Sequence, residues 1–523
     1  MTTPPFPRPV LIERLLDPAA YPHPTGHIRL VETHISWVIL TGPFAYKVKK
    51  PVSLGFVDYS SVDRRRRSCE GEVRVSSRFA PELYVAAVPI TGSGDAPRVS
   101  GDGEPVEWAV KLVQFDEGDR LDARFEAGRL TAADCRTLGE AIAAVEECLP
   151  VAREGEPWGT ADSVCEAVAV NLTALRTHLP QAADRADRLE DWLRCQLLAA
   201  TPLLAARQAA GRIRECHGDL HLANIVLHDG RMTPFDAIEF SDNLRWIDVA
   251  NDVAFLTMDL KSRGRADLAA EVLSSWVEAA ADHQSIGVMP VYEAYRAVVR
   301  ASIAAIRAEQ GDAASRDEAL RYVNLAERLA VGRRPVMVVT SGASGSGKSS
   351  VAAELVGPLA AVRIRSDVER KRLAGMRPTE RPANQAVMAE VYAEAVTRRV
   401  YDRLAGLAGT VLDAGCSVVV DAACTKRWQR DLLAGTAGDR GMPVIWVAFD
   451  LPASALVARV AGRQARGDDP SDASAEIVMR QVADVEPLAV EEVRGDGTLV
   501  RVTAGDTDIG PEGIAKRVVE MIG

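Results

Sequence analysis

Residues 340–350 read TSGASGSGKSS. Gly342, Gly347, Lys348 and Ser349 fit the spacing GxxxxGK[ST]. In that pattern the backbone N–H groups turn inward onto a phosphate, the lysine reaches the β- and γ-phosphates, and the hydroxyl takes Mg²⁺. The preceding VMVVT (336–340) is the all-apolar run of a buried parallel strand. The following KSSVAAELV (348–356) has helical spacing, so the loop meets the positive end of a helix. Gly342, Ala343, Ser344, Gly345, Ser346, Gly347, Lys348, Ser349 and Ser350 are therefore expected to cradle a nucleotide phosphate.

Outward from this loop, strand-like runs such as VVVDA and PVIWVAF alternate with helical stretches, which predicts an α/β domain with a parallel sheet. Two of its strands end in acids. SVVVDA places Asp421 where a carboxylate helps hold Mg²⁺, or simply caps the next helix. AVRIR runs into Ser366 and Asp367, and an acid at a strand's carboxyl end lies beside the phosphates. There Asp367 is placed to accept a proton from an attacking hydroxyl, and Arg370 to grip an anionic part of an acceptor. The other reading is an N-cap aspartate on a solvated basic helix. Arg459, Arg463 and Arg466 share one helix face at spacings of four and three. That face either closes over the phosphate, with Arg463 as its chosen contact, or is plainly solvated.

Upstream of Pro335 the pattern changes. SWVIL (36–40) and FAYKVKK (44–50) read as strands around the turn signal TGP, and residues 60–80 as a helix capped by Ser61 or Asp63. EWAVKLVQF (107–115) is a further strand, and the chain from Thr131 to Arg214 is helical in spacing. The run Arg64 to Arg67 reads most simply as a solvated helix face, with an anionic partner as the alternative. The expected division is an N-terminal extension at 1–30, a bilobal α+β domain at 31–330, a linker at 331–334 and the α/β domain at 335–523.

The 523 residues are 47% hydrophobic and 26% charged, ordinary for a globular chain that exceeds one core. A formal charge of −11 argues against a general nucleic-acid binder. The sequence has no apolar run long enough to cross a bilayer, and its start lacks the apolar core of a secretory signal, so a cytoplasmic protein is expected. Eight cysteines without a CxxC pair are expected to be reduced packing residues.

The second cluster is HGDLHLANIVLHDGRMTPFDAIEF (217–240). Asp219 and Asn224 have the spacing of a kinase catalytic loop, and Asp236 follows after a turn at Gly230. Phosphoryl transfer needs an acid to position the hydroxyl and oxygen ligands for Mg²⁺, which Asp219, Asn224 and Asp236 supply. His217 and His221 are expected to fix the loop. The cation for the phosphates is sought in AYKVKK, where Lys47 lies nearest the strand centre, and its acidic partner in the next helix, Glu72 before Glu70.

These motifs carry two resemblances. Gly342–Ser350, RSDVERKR, VVVDA and RQARGDDPSDA together resemble the small P-loop kinases of the zeta-toxin and polynucleotide-kinase type. HGDxHxxN followed by Asp236 resembles the aminoglycoside phosphotransferase-like kinases, with the departure that ETHISWVILTGPFAYK holds only one glycine where a phosphate-covering loop is expected. The whole chain looks like a bifunctional aminoglycoside phosphotransferase/ATP-binding protein. The resemblance implies ATP and Mg²⁺ as cofactors. It also implies transfer of the γ-phosphate to a hydroxyl of a small-molecule acceptor such as a sugar, aminosugar, nucleoside or antibiotic. The rivals are one active domain beside a nucleotide sensor, and a non-enzymatic ATP switch. Asp219 and Asp367 favour an enzyme, because a sensor needs no group beside an acceptor hydroxyl.

Overall fold

In the computed structural model the described residues are 8–54, 57–153, 155–378, 380, 382–466, 475–489, 492–493 and 497–522. They form two compact units. One comprises Met1–Leu130, Ala144–Glu166 and Thr201–Asp259; the other comprises Thr131–Ala143, Ala167–Ala200 and Leu260–Gly523.

The first unit is built on an antiparallel sheet of β1 (Arg29–Glu32), β2 (Ser36–Leu40), β3 (Phe44–Lys49), β4 (Tyr84–Ser93), β5 (Ala96–Val99) and β6 (Pro105–Val113). The spatial order is β1-β2-β3-β6-β4-β5. Side chains alternate between faces along each strand. One face sends Trp37, Ile39, Tyr46, Val48, Ile90 and Ala109 into a core with Ile12, Leu15 and Tyr21, so residues ahead of the sheet belong to it. The other face joins Ala45, Val110 and Leu112 to Cys69 of the helix Val62–Ser76.

Ser61 caps that helix, accepting a hydrogen bond from the Arg64 N–H at 3.3 Å. Arg65, Cys69, Glu72 and Ser76 are buried, a helical spacing that turns Glu72 inward with Cys69. The arginine run is therefore not uniformly solvated. Arg66 and Arg67 pair with Glu70 and Asp63 one turn away on the surface. Arg65 is buried, and its fork takes both oxygens of Glu107 at 2.7 to 2.9 Å.

The second unit holds the parallel sheet of β7 (Met337–Ser341), β8 (Ala361–Arg365), β9 (Ser417–Asp421), β10 (Val444–Asp450) and β11 (Thr498–Thr503). Its order is β8-β9-β7-β10-β11, with every pairing parallel. β7 is buried along its whole length, as its all-apolar sequence requires. The helix Ala266–Ala280 packs beside the edge strand β8, where the Arg363 N–H donates to Ser274 Oγ at 3.0 Å. The Glu278 carboxylate lies 3.3 Å from Arg365, and its carbonyl accepts from Arg372. Among the described residues, no helix is long and apolar enough to cross a membrane.

Candidate functional site

Strand β3 and the helix Val62–Ser76 bring Lys47 and Glu72 together, with Nζ 3.0 Å from Oε1. Lys47 also pairs with Asp236. The Glu72 side chain is 1% exposed, that of Lys47 12% and that of Asp236 42%, so the row opens towards solvent at Asp236. Burial alone pulls the Lys47 pKa down, but Asp236 and Glu72 outweigh it and hold the ammonium charged well above the ordinary lysine range. Two residues along the same face, Lys49 reaches the other oxygen of Glu72 at 2.5 Å and Glu239 at 2.7 Å.

The 217–224 loop is held from behind. Asp252, itself buried, accepts from the N–H groups of His217 and Gly218 at 2.8 and 2.9 Å. His217 Nε2 donates to the Phe235 carbonyl at 2.9 Å while Nδ1 accepts from the Asp219 N–H at 3.3 Å. That pattern needs the neutral ring, and burial lowers its pKa accordingly. Gly218 has φ +83°, and a Cβ there would stand 2.6 Å from the Leu244 carbonyl oxygen. Hence glycine occupies this position rather than a larger residue.

Asn224 Nδ2 donates to the Asp219 carboxylate at 2.9 Å, which leaves its Oδ1 as an acceptor. The Asn224 carbonyl accepts from Phe235 N–H at 2.8 Å, drawing the Asp236 segment alongside. The Asp236 N–H donates to the Tyr84 hydroxyl at 2.9 Å. Asp219 and Asn224 are thus joined to each other, and through the Asn224 backbone to the segment whose Asp236 pairs with Lys47.

In the second unit, β7 leads into the phosphate loop and the helix Lys348–Glu354 follows it. Ser349 Oγ donates to Asp421 Oδ1 at 3.1 Å. Burial raises the Asp421 pKa, but Arg363 and Lys348 more than offset it, so the carboxyl ionises more readily than usual. Arg363 pairs with Asp421 and also donates to the Ser349 carbonyl at 2.9 Å. Strands β8 and β9 run in register with Arg365 opposite Asp421, so the helix carrying Asp367 begins at the same end of the sheet. The loop is clasped from the far side. Gln481 accepts from the Ser344 N–H at 2.8 Å, while Leu456, Val460 and Val478 pack on Ala343.

Of the remaining sequence candidates, one makes its contacts outside this cluster and the side chain of the other is not among those described. Arg370 is buried, with its guanidinium on the Val391 carbonyl at 3.1 Å and on Thr397 Oγ1 at 3.0 Å, 4.8 Å above the Tyr392 ring. Arg463 belongs to the helix Ala453–Arg466, and its side chain lies outside the described residues. Sequence reading weighed Lys49 but preferred Lys47, and it passed over Glu239 and Arg363. A usable signal existed for Arg363: arginines at alternate positions of the otherwise apolar AVRIR mark a strand face turned to charge.

Residues 56–295 match the phosphotransferase enzyme family, and residues 337–488 match an AAA domain. An uncharacterized protein of Mycobacterium tuberculosis is 30% identical over 460 residues, covering 85% of this chain and 88% of that one. The chain belongs to its family. This family member carries an aminoglycoside phosphotransferase-like domain followed by a P-loop kinase-like domain, and both halves point to a phosphotransferase. Among solved structures, a choline/ethanolamine kinase family protein from Mesorhizobium loti is 13% identical with TM-score 0.34, covering 60% of this chain and 98% of that chain. A sugar kinase from Janibacter sp. HTCC2649 is 22% identical with TM-score 0.27, covering 36% and 94%.

Proposed function

We propose that the protein is a tandem ATP-dependent phosphotransferase with two separate ATP·Mg²⁺ sites, each passing a γ-phosphate to a hydroxyl of a small molecule. One observation carries the reading: each unit holds a lysine, side-chain oxygens of a kind that suits a metal, and a further acid. These are Lys47 with Asn224, Asp236 and Asp219 in the first, and Lys348 with Ser349, Asp421 and Asp367 in the second. Magnesium takes one or two protein oxygens and keeps phosphate and water for the rest, so Asn224 with Asp236, and Ser349 with Asp421, fit it. Bound there, it neutralises charge on the β- and γ-phosphate oxygens.

In the first site Lys47, turned by Glu72, holds the phosphates. The acceptor oxygen forms its bond to the γ-phosphorus as the bond to the β–γ bridging oxygen breaks. The hydroxyl proton passes to Asp219, and ADP leaves. Asp367 serves the second acceptor in the same way, with Arg370 proposed to hold an anionic part of that acceptor and Arg463 to contact the transferring phosphate of ATP. The reading places the boundary between the two enzymes at residues 331–334. An ATP-consumption screen over sugars, aminosugars, nucleosides and antibiotics tests it, with Asp219→Ala and Lys348→Ala as controls. Acceptor-dependent turnover that each variant removes in part supports two active sites. No acceptor-dependent turnover across the screen, or turnover that survives in the double variant, overturns the reading.

A further inference from the structure

The row of charges in the first unit extends past the groups that phosphate transfer uses. In order it reads Asp236, Lys47, Glu72, Lys49 and Glu239, acid and base alternating, with each lysine shared by two carboxylates. The far end is closed. The side chains of Lys49 and Glu239 are 1% and 4% exposed, and Glu239 Oε1 also accepts from Tyr59 at 2.7 Å and Ser68 at 2.6 Å. Lys49 is thereby committed to two buried carboxylates and has no route to a phosphate. Isolated, either ion would be costly to bury, and the pairing offsets that cost.

We propose that Lys49 and Glu239 are positioning residues of the N-terminal ATP site, a fixed pair that pins one Glu72 oxygen so that the other stays turned to Lys47. The inference rests on the proposed phosphotransferase reading of that site. Glu239 holds Lys49 through a strong, fully enclosed contact, and Lys49 holds Glu72 Oε2. Glu72 Oε1 then faces Lys47 whether Asp236 is paired with Lys47 or drawn to a metal. The site needs no partner and no modification to set its lysine–glutamate pair, because the second lysine is built into the same strand face. Tyr59 and Ser68 fix the Glu239 carboxylate and so the register of the whole row.

The test uses the full chain carrying Lys348→Ala, which removes nucleotide binding by the P-loop, and follows ATP affinity by calorimetry with Mg²⁺ present. Lys47→Ala must first abolish the remaining binding; if it does not, the reading of this site as a kinase site fails, independently of Glu239. Glu239→Gln keeps the shape and removes the charge. It should weaken ATP by about 10-fold, the scale on which loss of a residue supporting a direct ligand is felt. Glu239→Asp, with charge retained and reach shortened, should fall between the two.

Lys49→Met should match Glu239→Gln, and the double variant should lose no more than either single one, because the pair acts as a unit. A purely structural pair would lower the melting temperature and leave ATP affinity per folded molecule unchanged. That result, or fully additive losses, overturns the proposal. Should Glu239→Gln fail to fold, the Glu239→Asp and Lys49→Met affinities decide by the same criterion.

Discussion

Replacing Gly218 by alanine puts two separable costs on the 217–224 loop. The first is conformational: φ is +83° there, and a left-handed L-residue costs about 1–2 kcal/mol. The second is the 2.6 Å approach of the new Cβ to the Leu244 carbonyl oxygen, a backbone atom that cannot rotate aside. Overpacking of that kind costs about 1–3 kcal/mol. Together they predict a loss of about 2–5 kcal/mol. Gly230, in the turn between Ile225–His228 and Arg231–Pro234, provides the control. Its φ is +76°, but nothing lies within 4 Å of the added Cβ, so only the first cost applies.

Urea denaturation of the two variants, with hydrogen exchange across residues 213–228 to locate the change, measures the difference. Gly218→Ala should lose about 1–3 kcal/mol more than Gly230→Ala. It should also lower turnover per folded molecule, since Asp219 is the next residue. Equal losses within about 0.5 kcal/mol, the ordinary scatter of such comparisons, would refute the close approach to Leu244 and the account of the loop built on it.

Lys348→Ala should reduce the ATP sites counted by calorimetry from two to one; a single site in the parent contradicts the tandem reading. Asp219→Asn should cut turnover by the N-terminal site about 10² to 10⁴-fold while ATP affinity holds, as expected of a proton acceptor. His283 is buried among Glu369, Arg372, Arg403 and Asp282, and burial lowers its pKa to about 4. Between pH 4 and the unfolded value of 6.5 the unfolded chain binds the extra proton. Stability should therefore climb with pH across that window by at most about 1.4 kcal/mol per unit. His283→Gln should flatten the climb, and an unchanged pH slope argues against a neutral buried ring. Finally, residues 335–523 expressed alone should, at low protein concentration, melt cooperatively and bind ATP; a molten product, or one that binds no ATP there, argues against a boundary at 331–334.

What the sequence made legible were features whose chemistry is local. The phosphate loop announces itself through glycine spacing and an apolar strand before it. Asp219, Asn224 and Asp236 stand in one 18-residue stretch, and the order strand–lysine, helix–glutamate suggested Lys47 with Glu72. Partners fixed by tertiary approach were hidden. Glu239 lies within the quoted stretch, but nothing in it says that Lys49, Tyr59 and Ser68 converge there. The strands Tyr84–Ser93 and Ala96–Val99 run into TGSGDAP, whose glycines and proline disfavour strand, and cross-strand pairing with Pro105–Val113 and with each other carries them into the sheet. The four-arginine run looked uniform, because sequence alone does not reveal Glu107 opposite Arg65.

The helix laid along β8 has a consequence for solubility. An edge strand displays unpaired N–H and C=O groups that a second chain can join. Here Ser274 accepts the Arg363 N–H, and Glu278 engages Arg365 and Arg372. A protein cut after residue 334 leaves that edge bare. Such a fragment keeps the phosphate loop but gains a surface for strand-to-strand self-association, so light scattering that rises with concentration should separate it from the intact chain.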